Sequence, residues 1–124
     1  MLVLDLPIPG RAAHPNSRSR SHWPKTRAVK KQRQAVAEAA KIASIEQLTG
    51  PPFWARVRVR AVFHTRTGRR QDADNLVAWL KSTFDGLEDA GIVANDRGLV
   101  CEPPEVKKTG RLAEWLELKV EPEP

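Results

Sequence analysis

The 124 residues are 40% hydrophobic and 29% charged, enough apolar surface for one packed core and too much for a disordered chain. The net charge of +6 is unevenly spread: residues 1–70 hold fifteen Lys or Arg against three Asp or Glu, and residues 71–124 hold six against twelve, giving +12 and −6. The single cysteine, Cys101, excludes an internal disulfide framework, and no Cys/His spacing forms a zinc site. The opening Met1–Leu6, interrupted by Asp5 and closed by Pro7, is too short for a secretion signal or a membrane span, so a cytoplasmic protein with no membrane partner is expected.

In chain order, Met1–Leu6 reads as a first strand. Residues 9–24, dominated by Arg, Ser, His, Asn and Pro, read as a basic loop. From Lys25 to about Leu48, Val29, Val36, Ala40 and Ala43 form one helical stripe, with Pro24 suited to the first turn and Thr49-Gly50-Pro51-Pro52 ending the helix. Phe53–Phe63 alternates, placing Val57, Val59, Ala61 and Phe63 on one face and an arginine ladder of Arg56, Arg58 and Arg60 on the other. After the basic segment around Gly68, helical spacing returns beyond Asp74 with Leu80, Phe84 and Leu87, and Gly91 falls at a C-terminal cap position. Strands are expected near Gly98–Cys101 and Leu112–Val120, and the Glu-Pro-Glu-Pro stretch 121–124 reads as a flexible tail. This order predicts one α+β domain over residues 1–124, a small mixed β-sheet with two main helices on one face.

The chemistry concentrates in Arg69-Arg70-Gln71-Asp72-Ala73-Asp74-Asn75-Leu76. Two carboxylates one residue apart beside a basic stretch suit a hard cation, which takes oxygen ligands and keeps several waters for a phosphate substrate. The same residues also serve as helix-capping groups: Asp74 is a good N-cap, and Asp72 favours the positive end of a helix dipole. In a basic chain, clustered acids repel a polyanion unless a cation intervenes, so nucleic acid together with a divalent metal accounts for both features.

The series Asp72-Ala73-Asp74-Asn75-Leu76, Lys81, Phe84-Asp85-Gly86-Leu87, Asp89-Ala90-Gly91-Ile92 and Asn95-Asp96 resembles the RusA-type Holliday junction resolvases. Their pattern is a D-x-D-N-L start, a lysine on the following helix, a D-A-L or D-G-L element, an A-G turn and a final acidic site. The resemblance implies a RusA-like fold and a metal-dependent endodeoxyribonuclease that nicks four-way junctions and other branched DNA in recombination and repair, often in a phage or prophage setting. It further implies catalytic Asp72, Asp74, Asp96 and Lys81, with the three aspartates holding Mg²⁺ or Mn²⁺, in a homodimer that places two sites on a two-fold symmetric junction. Arg18, Arg20, Lys25, Lys30, Lys31, Arg69 and Arg70 are the expected DNA-positioning residues, with the arginine ladder and collectively rather than singly. Asp85 is a possible supporting acid, Glu88 and Asp89 read as a solvated face, and Trp23, Trp54, Trp79 and Trp115 read as loop, core or interface anchors. The alternative is a catalytically silent basic DNA-binding module whose aspartates only cap helices; an RNA-associated basic protein fits composition alone.

Overall fold

The structure, a computed structural model, describes residues 1–15, 22–110 and 113–123. Five strands form one mixed sheet: β1 (Leu2–Leu6), β2 (Val57–Thr65), β3 (Leu99–Cys101), β4 (Glu105–Lys108) and β5 (Trp115–Pro122). The helices are α1 (His22–Gln47), α2 (Ala73–Trp79) and α3 (Lys81–Asp89). β5 lies between β1 and β2 and runs antiparallel to both. The other edge of β2 is shared, with β3 parallel to Val57–Val59 and β4 parallel to Val62–Thr65.

The period-two alternation decides which face is covered. Leu2, Leu4 and Leu6, then Val57, Val59, Ala61 and Phe63, then Leu116, Leu118 and Val120 are all buried beneath the helices. Each large apolar side chain removed from water in this layer contributes roughly 1.5–3 kcal/mol. The opposite face is charged: Arg58 pairs with Glu123 at 2.6 Å and Glu102 at 3.2 Å, and Arg60 with Glu102 at 3.0 Å. Hydrogen bonds to Glu123 and Glu102 hold the Arg58 guanidinium above its ordinary range. Two members of the arginine ladder, Arg58 and Arg60, are thus matched by acids at the ends of β3 and β5, which weakens its claim as a phosphate-binding row.

Helix α1 presents Gln32, Val36, Ala40 and Ala43 inward, with Val29 only half-buried. Gln32, 4% exposed, donates to the Pro7 carbonyl at 2.9 Å and to Thr83 Oγ1 at 3.1 Å, tying β1, α1 and α3 together through one amide. At the closest point between α1 and α3, a Cβ on Gly86 would stand 2.7 Å from Val36 Cβ and 2.8 Å from the Arg33 carbonyl oxygen. Only glycine permits that approach. Arg33 closes the same contact from outside, its Nε and Nη2 donating to Asp89 at 2.5 and 2.8 Å.

Several expected boundaries are corrected. The basic loop 9–24 is not wholly irregular: Arg11–Ala13 forms a 3₁₀ turn and α1 begins at His22. That turn is pinned by the Trp79 indole N–H donating to the Gly10 carbonyl at 3.0 Å, and Pro24 lies in the first turn of α1, where its missing N–H costs nothing. The flexible tail 121–124 is overturned for Glu121–Glu123. β5 continues through Pro122 opposite Val57, the Glu123 N–H donates to the Arg56 carbonyl at 2.8 Å, and its carboxylate is held by Arg58. The expected strand from Phe53 begins only at Val57, because Phe53 takes a left-handed φ of 46° and Trp54 forms a lone parallel bridge to Val93. β4 is an additional strand. The expected second helix is divided at Leu80, whose N–H is shared between the Leu76 and Val77 carbonyls, the tightening of a 3₁₀ turn.

Two stability predictions follow from the α1–α3 contact. Gly86→Ala is expected to cost about 1–3 kcal/mol through overpacking, and Val36→Ala in the same chain not to recover it, because the Val36 Cβ and the Arg33 carbonyl that the new methyl meets both remain; urea titration of the single and double variants measures both. The Arg33 hydrogen bond lowers the Asp89 carboxyl below its ordinary value near 3.8, so its contribution is present above that pH and is lost as pH falls through the lowered value. Asp89→Asn is therefore expected to be less stable than wild type at pH 7 and to match it only in acid, once the pH has fallen below the lowered value.

Candidate active site

The site is built where α3 ends. Gly91, at φ 75°, terminates the helix with its N–H on the Glu88 carbonyl (2.9 Å) while the Ile92 N–H reaches the Leu87 carbonyl (3.0 Å). The chain that follows is laced to residues 53–55: Phe53 N–H to Gly91 O at 2.8 Å, Trp54 N–H to Ile92 O at 3.1 Å, and Ala94 N–H to Trp54 O at 2.9 Å. A Cβ on Gly98 would stand 1.9 Å from the Ala55 carbonyl oxygen, so the Asp96–Gly98 turn is pressed onto the same segment. Asn95 caps this turn, its side-chain oxygen accepting from the Arg97 N–H at 3.0 Å. Asp96 is thus fixed from both sides.

Among the described residues, Asp85, Glu88 and Asp96 bring one carboxylate oxygen each within 4.8 Å of one another. Asp85 and Glu88 share a face of α3 through their i, i+3 spacing. Glu88 stands in the last turn of α3, at its negative end, where acids are disfavoured, and none of the three acids makes an ion pair within the described structure. Arg33 lies near enough to feel Asp85 and Glu88, but its hydrogen bonds go to Asp89. Lys81 and Val77 join Asp85, Asp96, Leu99 and Cys101 around a groove of about 300 Å³. Lys81 forms no ion pair with Asp85, so the surface salt bridge that their i, i+4 spacing permits is not made.

The donor set fits a hard cation. Oxygens around a Mg²⁺ at about 2.1 Å stand roughly 3–4 Å apart, so small rotamer changes close these carboxylates on one ion. A soft metal is disfavoured, because burial and then Glu102 push the Cys101 thiol up to about 11, leaving no thiolate at neutral pH.

The sequence-predicted aspartates are distributed differently. Asp72, not Asp74, is the N-cap of α2: its Oδ1 accepts from the Asp74 N–H at 3.0 Å, and Asp74 lies in the first turn. Neither belongs to the group formed by Asp96 with Asp85 and Glu88. Asp74 precedes Val77 by one turn, on the face of α2 that carries Val77 toward the groove. Arg69 and Arg70 are exposed just before this cap, and Lys25, Lys30 and Lys31 are exposed on α1. Arg18 and Arg20, and the side chains of His22 and Trp23, lie outside the described residues. Glu88, part of a solvated face by sequence, carries one local signal for this grouping, its i, i+3 spacing from Asp85 on a helix that turns directly into Asp96.

No protein-family model and no curated protein matches the chain in sequence. Among the described residues no helix is long and apolar enough to cross a membrane.

Three mutually repelling carboxylates make a metal prediction. Mg²⁺ or Mn²⁺ at millimolar concentration is expected to raise the melting temperature of the wild type by several degrees, since a ligand bound only to the folded state stabilises it. Asp96→Asn or Glu88→Gln is expected to abolish that shift and to melt slightly higher than wild type in EDTA. Differential scanning calorimetry with and without the ion reads both effects.

Proposed function

We propose that the chain is a divalent-metal-dependent endonuclease of the RusA type that nicks four-way junctions and related branched DNA. The observation that carries this reading is the meeting of Asp85, Glu88 and Asp96 beside a groove that Asp85 and Asp96 line together with Lys81, within a chain of net charge +6. A basic protein has no use for an unpaired acidic cluster in binding DNA, because carboxylates repel phosphate; with a cation among them the same cluster attracts it.

Asp85, Glu88 and Asp96 hold Mg²⁺ or Mn²⁺ in this reading. When bound, such an ion supplies an activated water and neutralises charge on the scissile phosphate. Lys81, unpaired with Asp85, places its ammonium where it stabilises charge building on the phosphate or leaving oxygen. Asp74, seven residues before Lys81, and Asp72 at the cap add acids at the N-terminus of α2, just after Arg69 and Arg70. Lys25, Lys30 and Lys31 contribute phosphate contacts from α1. A homodimer supplies the second site that paired nicks require.

One observation favours a second reading, a silent DNA-binding module: the capping bond of Asp72 gives that carboxylate a structural task needing no metal. Asparagine caps as well as aspartate, so Asp72→Asn removes the charge and keeps the cap, whereas Asp72→Ala removes both and costs about 1 kcal/mol. Single-turnover cleavage of a synthetic four-way junction in Mg²⁺ separates the readings. Asp72→Asn, Asp74→Asn, Asp85→Asn and Asp96→Asn are expected to abolish nicking with junction binding retained, and Lys81→Ala to slow it by roughly two orders of magnitude. Wild-type rates in Asp96→Asn, or no metal-dependent nicking by the wild type, sink the nuclease reading.

A further inference from the structure

A second depression, distinct from the acidic groove, opens where β2 ends. It has a volume of about 500 Å³ and an apolar floor in which Phe63, Ile8 and Val106 take part. Trp79 forms one wall; its indole N–H is spent on the Gly10 carbonyl and its ring lies parallel to Phe63 at 5.5 Å, so it presents only carbon to the cavity. Arg11 and Arg69 stand at the rim, both exposed. Gln71 is at the rim too, its Oε1 within 2.8 Å of His14 Nε2, which turns its amide N–H₂ into a directed donor. The single acid of the lining, Glu114, accepts from the Arg66 N–H at 2.8 Å.

A second hollow of about 340 Å³ shares Gln71 and Val106 with the depression and is flanked by Arg70 and Lys107, with the Glu105 carboxylate 4.0 Å from the Lys107 ammonium. The two form one trough with a greasy floor, a hydrogen-bonding amide midway and cations at both ends. A ligand that satisfies all three has a flat apolar body, a polar edge and an anionic connection to its neighbour.

We infer that this trough binds unpaired nucleotides of the DNA strand, a base against the half-buried Ile8 and Val106 with its edge at Gln71 and the flanking phosphates at Arg11, Arg69 and Arg70, while Phe63 is almost wholly buried in the core. A paired base cannot enter, since its edge and both faces are already occupied. The trough therefore confers preference for DNA with locally unpaired positions, as at a branch point. This deepens the proposed action on branched DNA and rests on that reading for the choice of DNA over RNA, but not on catalysis.

Binding is measured in EDTA by fluorescence anisotropy, comparing a blunt duplex with the same duplex carrying a short unpaired tail that contains 2-aminopurine, at matched salt. The wild type is expected to bind the tailed DNA roughly tenfold or more tightly, with a change in 2-aminopurine emission. Gln71→Leu and Arg11→Ala, both surface changes, are expected to erase most of that advantage while leaving blunt-duplex affinity within about twofold. Asp96→Asn is expected to keep it. Equal binding of tailed and blunt DNA by the wild type, an advantage that survives in the Gln71→Leu, Arg11→Ala double variant, or an equally favoured RNA tail overturns the inference. Because no metal is present, a wild type that keeps the tail preference but never nicks a junction defeats the nuclease reading and leaves this one standing.

Discussion

The contact that everything functional hangs on is the approach of α3 to α1 at Gly86. With no side chain there, the α3 backbone rests on Val36 Cβ and the Arg33 carbonyl, a separation that any other residue would widen. Two polar ties hold the same pair in register, Gln32 to Thr83 inside and Arg33 to Asp89 outside. Asp85 flanks Gly86 in sequence and Glu88 follows one turn along the exposed face. The glycine that sets how closely α3 packs therefore also sets where two of the three clustered carboxylates stand. A packing requirement and a site requirement meet in one tripeptide, Asp85-Gly86-Leu87, whose third member is fully buried.

The third carboxylate arrives by a separate route with the same logic. Gly91 ends α3 beneath the Phe53 ring, and Gly98 lies against the Ala55 carbonyl, so the segment carrying Asp96 is clamped at two points where a Cβ would not fit. Phe53 accepts a left-handed backbone and an exposed ring at this junction, a combination that costs free energy for a bulky residue. The strain lies at one of the segments that hold Asp96, which is where an over-determined geometry has a use.

What could be read from the sequence was whatever had a strong period or a single backbone solution. The Val57–Phe63 alternation, the α1 stripe through Val36, Ala40 and Ala43, and the Gly91 cap are all of that kind, and they suffice for an α+β domain with a mixed sheet covered on one face. β4 was hidden because Glu105–Lys108 is mostly exposed and lies at a sheet edge, with no apolar alternation to reveal it. The ordered end of β5 was hidden because Pro122 and the glutamates around it look like a tail; they are ordered by partners in β2, above all Arg58, far away in sequence. At the candidate site, Asp96 and Lys81 stand out in the sequence, and the fold brings both to one groove. The company Asp96 keeps does not stand out, because it depends on the Schellman turn at Gly91 folding the chain back along α3. The cap of α2 lies two residues earlier than expected, at Asp72 rather than Asp74, since either aspartate satisfies the local rule and only the backbone conformation decides.

The distribution of charge follows from these placements. Of the acids in residues 71–124, Glu102 and Glu123 are matched by Arg58 and Arg60 across the solvent face of the sheet, and Asp89 by Arg33. Glu114 accepts a backbone N–H, Glu117 faces His64 at 3.1 Å, and Asp72 caps a helix. Asp85, Glu88 and Asp96 are close together with none of these compensations. Arg33 stands beside them but is directed to Asp89, and Lys81 stands in the same groove without closing on Asp85. A fold that pairs its other crowded acids while gathering three without a cation of its own concentrates negative potential at one point of a positively charged surface. Such a concentration of charge is what the proposed metal site requires, since a small cation bound there would offset it and attract phosphate.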